Sequence, residues 1–172
     1  MFIPILLGTA REGRQSEKIA SFVLEQAQAY GAFDTELVDV RDFHLSRTDK
    51  TSEESKKWSA IMARADGLIV VAPEYNHSLP GELKMFLDQI YPEYERKPLG
   101  ICSVSGGGFG GVNMTQHLRL VGIELKMVPI YASVPFSHAG DEIDASYTDR
   151  VKGFFDELVW YAQALKTARD GA

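Results

Sequence analysis

The strongest constraint on the fold is a fivefold alternation between short apolar segments and longer amphipathic ones. The short segments are rich in β-branched residues, and the third and fourth are apolar almost throughout, as expected of strands covered on both faces. The longer segments repeat apolar residues at the spacing of a helix face. This alternation predicts a parallel sheet with right-handed crossovers. The predicted strands span residues 2–8, 35–40, 67–73, 99–105 and 125–131.

Helices are predicted to follow each of these strands. Pro80 and Gly81 suit the first turn of the third helix, where the missing N–H of proline costs nothing. The fourth helix, at about 111–121, has the least regular apolar pattern. The apolar faces of the other four comprise Ile19, Phe22, Val23, Ala27 and Tyr30; Trp58, Ile61, Met62 and Ala65; Leu83, Phe86, Leu87 and Ile90; and Val151, Phe154, Phe155, Leu158, Ala162 and Leu165.

Five parallel strands with intervening helices are typical of the flavodoxin-like doubly wound α/β fold, with strand order 2-1-3-4-5 and helices on both faces. No internal repeat, low-complexity tract or long linker interrupts the sequence, so a single domain over residues 1–172 is predicted. Such folds bind ligands beyond the carboxyl ends of the strands, near the switch point between strands one and three. The loops after strands one, three and four are therefore the candidate binding loops.

Composition argues against several classes of function. The net charge of −6 disfavours a nucleic-acid partner, which needs a basic face. The single cysteine, Cys102, excludes an intrachain disulfide and multi-cysteine metal motifs, and its apolar neighbours predict a buried, inert thiol. No metal site is predicted. No apolar run approaches the ~20 residues of a membrane span, and no signal-peptide pattern opens the sequence, so we expect a cytoplasmic protein without a membrane partner.

The first loop, "GTAREGRQS" at residues 8–16, offers the groups that an anion site needs. It combines hydroxyls, an amide and two arginines with the free N–H groups of a helix N-terminus, whose dipole favours negative charge. A solvated loop capped by Ser16 is the alternative. Gly8 and Gly13 have the spacing of a triphosphate-binding loop, but Arg14 and Gln15 stand where that motif requires Lys and Ser/Thr. Nucleotide hydrolysis is therefore not predicted.

The second loop, "PEYNHSLPG" at residues 73–81, carries an aromatic residue and a histidine among turn-forming residues. Tyr75 could pack on its own loop or face a flat ring system at a ligand crevice. His77 could serve as a general acid, but no partner carboxylate or nucleophile is identifiable beside it in the sequence. A solvated or capping role for His77 is therefore favoured, and no catalytic side chain is predicted.

The third loop, "SGGGFGG" at residues 105–111, contains the G-x-G-x-x-G spacing of a dinucleotide-binding fingerprint. That interpretation fails because the loop follows the fourth strand rather than opening the first βαβ unit. The next strand also ends in Ile130 and Tyr131, without the acid expected on a ribose. The remaining interpretation is that the loop's backbone, without side chains, lies close to a ligand and presents its amide groups to it.

These three segments together resemble the NADPH-dependent FMN reductase family, which consists of flavodoxin-like flavoproteins that include azo-dye, quinone and chromate reductases. The resemblance runs from the first strand to about the fourth helix, and "PEYNHSLPGELK" is its most specific part. Many members have Ser and then Asn late in the first loop, where this chain has Gln15 and Ser16. The role of Arg14 therefore stays open between a second phosphate ligand and a solvated neighbour.

The resemblance implies a set of cofactor-binding residues in each loop. The first loop would hold the phosphate of FMN, the second would line the isoalloxazine ring and ribityl chain, and the third would meet the pyrimidine end of the ring. In that order the implied residues are Thr9, Arg11, Gln15 and Ser16; Pro73, Glu74, Tyr75 and Asn76; and Ser105, Gly106, Gly107 and Gly108.

The activity that the resemblance implies is an FMN-dependent NAD(P)H oxidoreductase. Hydride would pass from NAD(P)H to bound FMN and then to a small acceptor such as flavin, a quinone, an azo compound or a metal oxyanion, while the protein supplies position and electrostatics. The resemblance also implies a homodimer or homotetramer. Two alternatives remain: a flavodoxin-like electron carrier that binds FMN without reacting directly with NAD(P)H, and a non-enzymatic sensor of a phosphorylated ligand.

Overall fold

The computed structural model describes residues 1–171, and its centre is a five-stranded, wholly parallel sheet in the order β2-β1-β3-β4-β5. The predicted order and the parallel arrangement are confirmed. The two long central strands are apolar and buried, because helices cover both of their faces. The strands are β1 (Ile5–Leu7), β2 (Leu37–Asp39), β3 (Leu68–Pro73), β4 (Pro98–Val104) and β5 (Val128–Phe136).

Five α-helices connect and follow the strands. A 3₁₀ turn at Val40–Asp42 follows β2, and another at Pro92–Tyr94 precedes β4. In the part of the chain that the structure describes, no helix is both long and apolar enough to cross a membrane. The helices are α1 (Ser16–Tyr30), α2 (Glu53–Arg64), α3 (Gly81–Leu87), α4 (Val112–Glu124) and α5 (Ser146–Asp170).

The sheet separates two hydrophobic cores. On one face, α1 and α5 bury their apolar sides, with Val23 and Phe154 among the enclosed residues. On the other face, α2, α3 and α4 do the same, and Trp58 and Phe86 are fully buried with ring centroids 4.8 Å apart. The helix faces predicted from apolar spacing are the faces that pack on the sheet. Helices on both sides leave the edge at the carboxyl ends of the strands open for a site.

The first and last strands differ from their predicted bounds. The chain before β1 contains Pro4, and Phe2 makes only an isolated bridge to Asp34. At the other edge of the sheet, Lys126 takes a positive φ of 57° in the turn after α4, so β5 begins three residues later than predicted. The strand then continues to Phe136 despite Pro129 and Pro135, because an edge strand tolerates residues without an N–H.

Candidate functional site

A cavity of about 310 Å³ lies at the carboxyl ends of β1, β3 and β4, where the three predicted binding loops meet. Two larger grooves, of about 430 and 580 Å³, lie between α1 and α5 and along β2 and α2, and neither contains a residue of the three loops. The switch-point cavity is the candidate site, because it contains residues from all three predicted loops. Its lining comprises Arg11, Gly13, Arg14, Gln15, Ser16, Pro73, Glu74, Tyr75, Val104, Ser105, Gly106 and Ala139.

Most of the site residues predicted from the sequence line this cavity. Four do not, and these are Thr9, Asn76, Gly107 and Gly108. Thr9 is fully buried, whereas the other three are exposed on their loops. Val104 and Ala139 line the cavity although neither was predicted to do so, because an apolar residue at a strand end gives no chemical signal. In residues 1–171 no group of His, Cys, Asp or Glu side chains could hold a metal ion.

Ser16, the first residue of α1, supplies an unpaired buried hydroxyl to the cavity. The residue is 1% exposed, and its Oγ has no hydrogen-bond partner within residues 1–171. Gln15 occupies the N-cap position, but its side chain makes no capping hydrogen bond to α1. The N-terminus of α1 therefore presents uncapped backbone donors, the positive end of a helix dipole and an unused hydroxyl, which are features of an anion-binding site.

The hydroxyl of Thr9 is already engaged beneath the first loop. It donates to Glu82 Oε1 at 2.8 Å and lies 3.1 Å from the Tyr75 hydroxyl, while the Ala10 N–H donates to the same Glu82 oxygen at 3.0 Å. Burial alone would raise the pKa of Glu82, but hydrogen bonds from backbone N–H groups and Thr9 outweigh it and lower that pKa. Glu82 thus ties the first loop to α3, a role that its sequence context did not reveal.

Arg14 is not solvated, and its positive charge is largely neutralised by another residue rather than available to a ligand. Its side chain is 1% exposed, and both terminal nitrogens donate to the carboxylate of Asp39, with Nη1 2.8 Å from Oδ1. Nη1 also donates to the carbonyl oxygen of Thr9. Burial opposes the charged form of Asp39, but the hydrogen bonds from Arg14 and the N–H of Arg41 prevail and lower its pKa.

In the second loop, Glu74 connects the end of β3 to the start of α4. Its carboxylate accepts the N–H groups of Asn113 and Met114 at 2.9 and 3.2 Å and the Asn113 side-chain amide at 3.1 Å. Burial would raise the pKa of Glu74, yet these hydrogen bonds outweigh it and lower that pKa. Glu74 therefore caps a helix from another element while it lines the cavity.

The tip of the second loop is a two-residue turn. The backbone groups of Tyr75 and Ser78 exchange two hydrogen bonds of 2.9 Å, and Asn76 and His77 between them have φ values of 49° and 63°. A positive φ is uncommon for a residue other than glycine, and His77 adopts it where type I′ turns favour glycine. The exposed imidazole Nδ1 lies 3.0 Å from the Asn113 amide, a position consistent with the solvated or capping role favoured from the sequence.

The glycines of the third loop divide into two kinds. A Cβ atom added at Gly106 or Gly107 would meet nothing within 4 Å, so these positions leave open space at the cavity side of the loop. By contrast, Gly110 and Gly111 have positive φ values of 63° and 78°, and a Cβ at Gly110 would lie 2.6 Å from Pro135 Cβ. The second pair is required by the fold, whereas the first pair leaves a bare backbone available to a ligand.

The donor set fits a phosphorylated ligand that carries a flat ring. The first loop and the α1 N-terminus offer Ser16, Gln15 and Arg11 to an anion, and no acidic side chain of that loop lines the cavity. At the other side, Pro73, Tyr75 and the backbone at Gly106 form walls whose one acidic neighbour, Glu74, is engaged by the backbone N–H groups of Asn113 and Met114. The fold and this cavity together define a flavodoxin-like protein with a candidate anion site at its switch point.

Solved structures share this fold at low sequence identity. The flavoenzyme NAD(P)H:(acceptor) oxidoreductase of Paracoccus denitrificans superposes with a TM-score of 0.77 at 18% identity, covering 95% of this chain and 97% of that one. A flavodoxin of Streptococcus pneumoniae TIGR4 gives a TM-score of 0.62 at 16% identity, covering 92% and 97%. At these identities the likeness shows the flavodoxin-like fold alone.

Sequence comparison specifies the family. The family model for NADPH-dependent FMN reductase matches residues 1–141, and the chain belongs to that family. An NAD(P)H-dependent FMN reductase of Schizosaccharomyces pombe is 38% identical over 136 residues, covering 73% of this chain and 67% of the relative. An NADPH azoreductase of a Bacillus species is 26% identical over 173 residues, covering 98% and 97%. The family resemblance stated from the three loop motifs is confirmed.

Proposed function

We propose that this protein binds FMN in the switch-point cavity and uses it to pass electrons from NAD(P)H to a small organic acceptor. The observation that carries the proposal is the buried, unpartnered Oγ of Ser16 at the N-terminus of α1, inside a cavity bounded by all three motif loops. Family membership supplies the chemistry, since members are described as NADPH-dependent FMN reductases. We propose a single FMN-binding domain over residues 1–172.

In this proposal the phosphate end of FMN lies at the first loop. Ser16 Oγ and the backbone donors of the α1 N-terminus bind the phosphate, assisted by Gln15 and the exposed guanidinium of Arg11. Thr9 contributes by position rather than by its hydroxyl, because that group already donates to Glu82. Arg14 adds little net charge, because Asp39 neutralises it.

The ring end of FMN lies between the second and third loops. Pro73, Glu74 and Tyr75 line one wall, with Asn76 at the exposed tip, and the backbone at Ser105 and Gly106 forms the other, with Gly107 and Gly108 exposed beyond it. Bound FMN would supply the redox chemistry, accepting hydride from NAD(P)H and returning electrons to the acceptor. The backbone amides of the glycine loop are suited to stabilise the negative charge that reduction places on the pyrimidine side of the ring.

No side chain of the protein is required to act as an acid or base. His77 is exposed, and its Nδ1 lies 3.0 Å from the Asn113 amide and 3.4 Å from Glu74 Oε1, a carboxylate that the sequence did not identify as its neighbour. Cys102 is buried in β4, and burial raises the pKa of its thiol, which keeps it protonated and unreactive. The proposed role of the protein is therefore to bind, orient and shield the reacting groups.

The acceptor is proposed to be a quinone, an azo compound or free flavin. The Bacillus relative is named an azoreductase, and a Burkholderia relative, 30% identical over 153 residues, is named a 2-hydroxy-1,4-benzoquinone reductase. Pro73, Tyr75 and Val104 at the ring end of the cavity offer apolar and aromatic surface that suits flat organic acceptors. Steady-state assays with one member of each acceptor class would rank them.

The decisive experiment is a visible spectrum of the purified protein incubated with FMN, before and after anaerobic addition of NADPH or NADH. We expect retained flavin absorbance that bleaches rapidly on mixing in a stopped-flow instrument. A protein that binds FMN but is not bleached by either nicotinamide would instead be an electron carrier. A protein that shows no affinity for FMN would contradict the proposal altogether.

We also propose a homodimer or homotetramer. Large apolar side chains are exposed on neighbouring elements at the β5 edge, where Arg119 of α4 and Glu157 of α5 both hydrogen-bond to the backbone at Tyr131. Exposed apolar surface of this kind marks interaction sites in otherwise soluble folds. Light scattering on the purified protein tests the assembly, and a monomer at micromolar concentration would contradict it. The exposed residues concerned are Leu120, Ile123, Tyr131 and Trp160.

A further inference from the structure

Three successive backbone carbonyls of the first loop are held by two arginine side chains. Arg14 Nη1 donates to the carbonyl oxygen of Thr9. Arg41, in the 3₁₀ turn after β2, donates from Nε to the carbonyl oxygen of Ala10 at 3.2 Å and from Nη2 to that of Arg11. Neither arginine was assigned this role by the sequence motifs, and Arg41 does not line the cavity.

Asp39 connects the two arginines to each other. Its carboxylate accepts both terminal nitrogens of Arg14, and its Oδ1 also accepts the backbone N–H of Arg41 at 2.9 Å. Asp39 is the last residue of β2 and lies in register with Leu7, the last residue of β1, from which the first loop departs. The strand order therefore brings Asp39 beside the loop, although 25 residues separate it from Arg14.

The direction of these carbonyls matters for an anion. In a peptide unit the C=O and the following N–H point in opposite directions, so a carbonyl turned toward a guanidinium turns the next N–H away from it. Carbonyl oxygens repel a phosphate, whereas N–H groups bind it. Holding the carbonyls of residues 9–11 on arginines therefore keeps acceptor oxygens away from an anion bound at the α1 N-terminus.

We propose that Arg14, Asp39 and Arg41 are positioning residues that preorganise the first loop for the phosphate of FMN. They act through the loop backbone rather than by touching the cofactor. Their charges largely cancel locally, since Asp39 pairs with Arg14 and Glu17 lies 3.6 Å from Arg41. This inference rests on the proposed FMN function.

The test compares FMN with riboflavin, which has the same ring but no phosphate. Arg41→Met is the primary variant, because Arg41 is partly exposed and its loss leaves the buried Arg14–Asp39 pair intact. Arg64→Met is the matched control, since Arg64 lies on α2, pairs with Glu36 and does not contact the first loop. Dissociation constants are measured from the quenching of flavin fluorescence, and the melting temperature of each apoprotein is recorded alongside.

We expect Arg41→Met to weaken FMN binding roughly tenfold, as when a charge-assisted hydrogen bond is lost, while riboflavin binding changes less than about twofold. Unchanged FMN affinity in Arg41→Met, or equal losses for FMN and riboflavin, would overturn the positioning role. Absence of flavin binding by the wild-type protein would instead overturn the proposed function, on which this inference rests. The double variant Arg14→Met/Asp39→Leu, which removes both buried charges, should reproduce the FMN-specific loss.

Discussion

At the residue scale, three buried polar side chains of the first loop differ in how their hydrogen-bonding groups are satisfied. Thr9 donates to Glu82, and Arg14 is paired with Asp39, so both side chains have hydrogen-bond partners within the protein. Ser16 is equally buried but has no partner within the described residues. An unsatisfied buried hydroxyl costs about 1–3 kcal/mol, which a fold retains at few positions. Ser16, the exception among these three side chains, lies at the proposed phosphate site.

Ser16→Ala should separate ligand binding from folding. Because the hydroxyl has no hydrogen-bond partner within residues 1–171, its removal should leave the free energy of unfolding of the apoprotein unchanged or raise it by up to about 1 kcal/mol. The loss of a hydrogen bond to a charged phosphate should weaken FMN binding about tenfold and leave riboflavin binding unchanged. Fluorescence titration and chemical denaturation measure the two effects.

The control for this variant is Ser21→Ala, an exposed serine on the same helix. It should alter neither flavin affinity nor stability appreciably. A clear loss of apoprotein stability in Ser16→Ala, with no change in FMN affinity, would show that the hydroxyl serves the fold rather than a ligand.

Single residues also mark the limit of what the sequence could predict. The first loop was recognisable as an anion site, but the role of Arg14 stayed open because its partner, Asp39, belongs to a different strand. Glu82 and Arg41 were missed for the same reason: their contacts with the loop span 30 or more residues. Only the predicted strand order 2-1-3 indicated that residues after strand two could contact the first loop, because it places the ends of strands two and one side by side.

At the scale of elements, the glycine-rich third loop borders the candidate cavity at its start and packs against β5 at its end. Gly106 borders the cavity with free space around its missing side chain, whereas Gly110 packs against Pro135 and its carbonyl accepts a 2.6 Å hydrogen bond from Ser103. The glycines of one short segment, residues 106–111, therefore have two different roles: Gly106 leaves open space at the cavity, and Gly110 allows close packing.

Two valine substitutions should separate the ligand-binding role of Gly106 from the packing role of Gly110. Gly106→Val should leave apoprotein stability nearly unchanged and weaken both FMN and riboflavin, because the new side chain enters the ring end of the cavity. Gly110→Val should destabilise the apoprotein by about 2 kcal/mol or more, because of its positive φ and the contact with Pro135. Thermal melts and flavin titrations of both variants provide the measurement. Equal destabilisation by the two would refute the distinction.

The elements themselves were largely predictable, because the buried central strands and amphipathic helices have strong periodic patterns. Besides the shorter β1, the exceptions lie at the edge strand β5. Between Leu99 and Ile101 the register with β4 shifts, so that Pro129 and Ser133 pair with those two residues. The N–H groups of Tyr131 and Ala132 bind the carboxylate of Glu157 on α5 instead. A side chain that binds the backbone of an edge strand in this way depends on tertiary structure, so it produces no local pattern in the sequence.

At the scale of the whole molecule, the two ends of the sheet serve different purposes. The carboxyl end bears the cavity and its three loops. At the opposite end, Asp66, just before β3, receives the N–H of Phe2 at 3.1 Å, Lys166 at 2.8 Å and Arg169 at 3.3 Å. One carboxylate thereby joins the N-terminal segment and the last turns of α5 to the centre of the sheet.

The charge state of Asp66 should therefore govern stability in acid. Burial would raise the pKa of Asp66, but hydrogen bonds from Lys166 and the Phe2 N–H outweigh it and lower that pKa below the unfolded value. Because the unfolded state then binds more protons, the stabilisation that the charged Asp66 provides is fully present above about pH 5, including at neutral pH. It diminishes as the pH falls through the unfolded value of about 3.9 and then the lower folded value.

Asp66→Asn should lower the free energy of unfolding by about 1–3 kcal/mol at pH 7, because it removes a buried charge that two cations share. The difference from wild type should shrink progressively below about pH 4, where Asp66 of the wild-type protein is protonated as well. FMN affinity should not change, because the cavity lies at the other end of the sheet. Urea denaturation from pH 3 to pH 8 measures the effect, with Asp149→Asn, at an exposed aspartate in the first turn of α5, as the control. A stability difference that stayed constant down to pH 3 would show that Asp66 acts by packing rather than by charge.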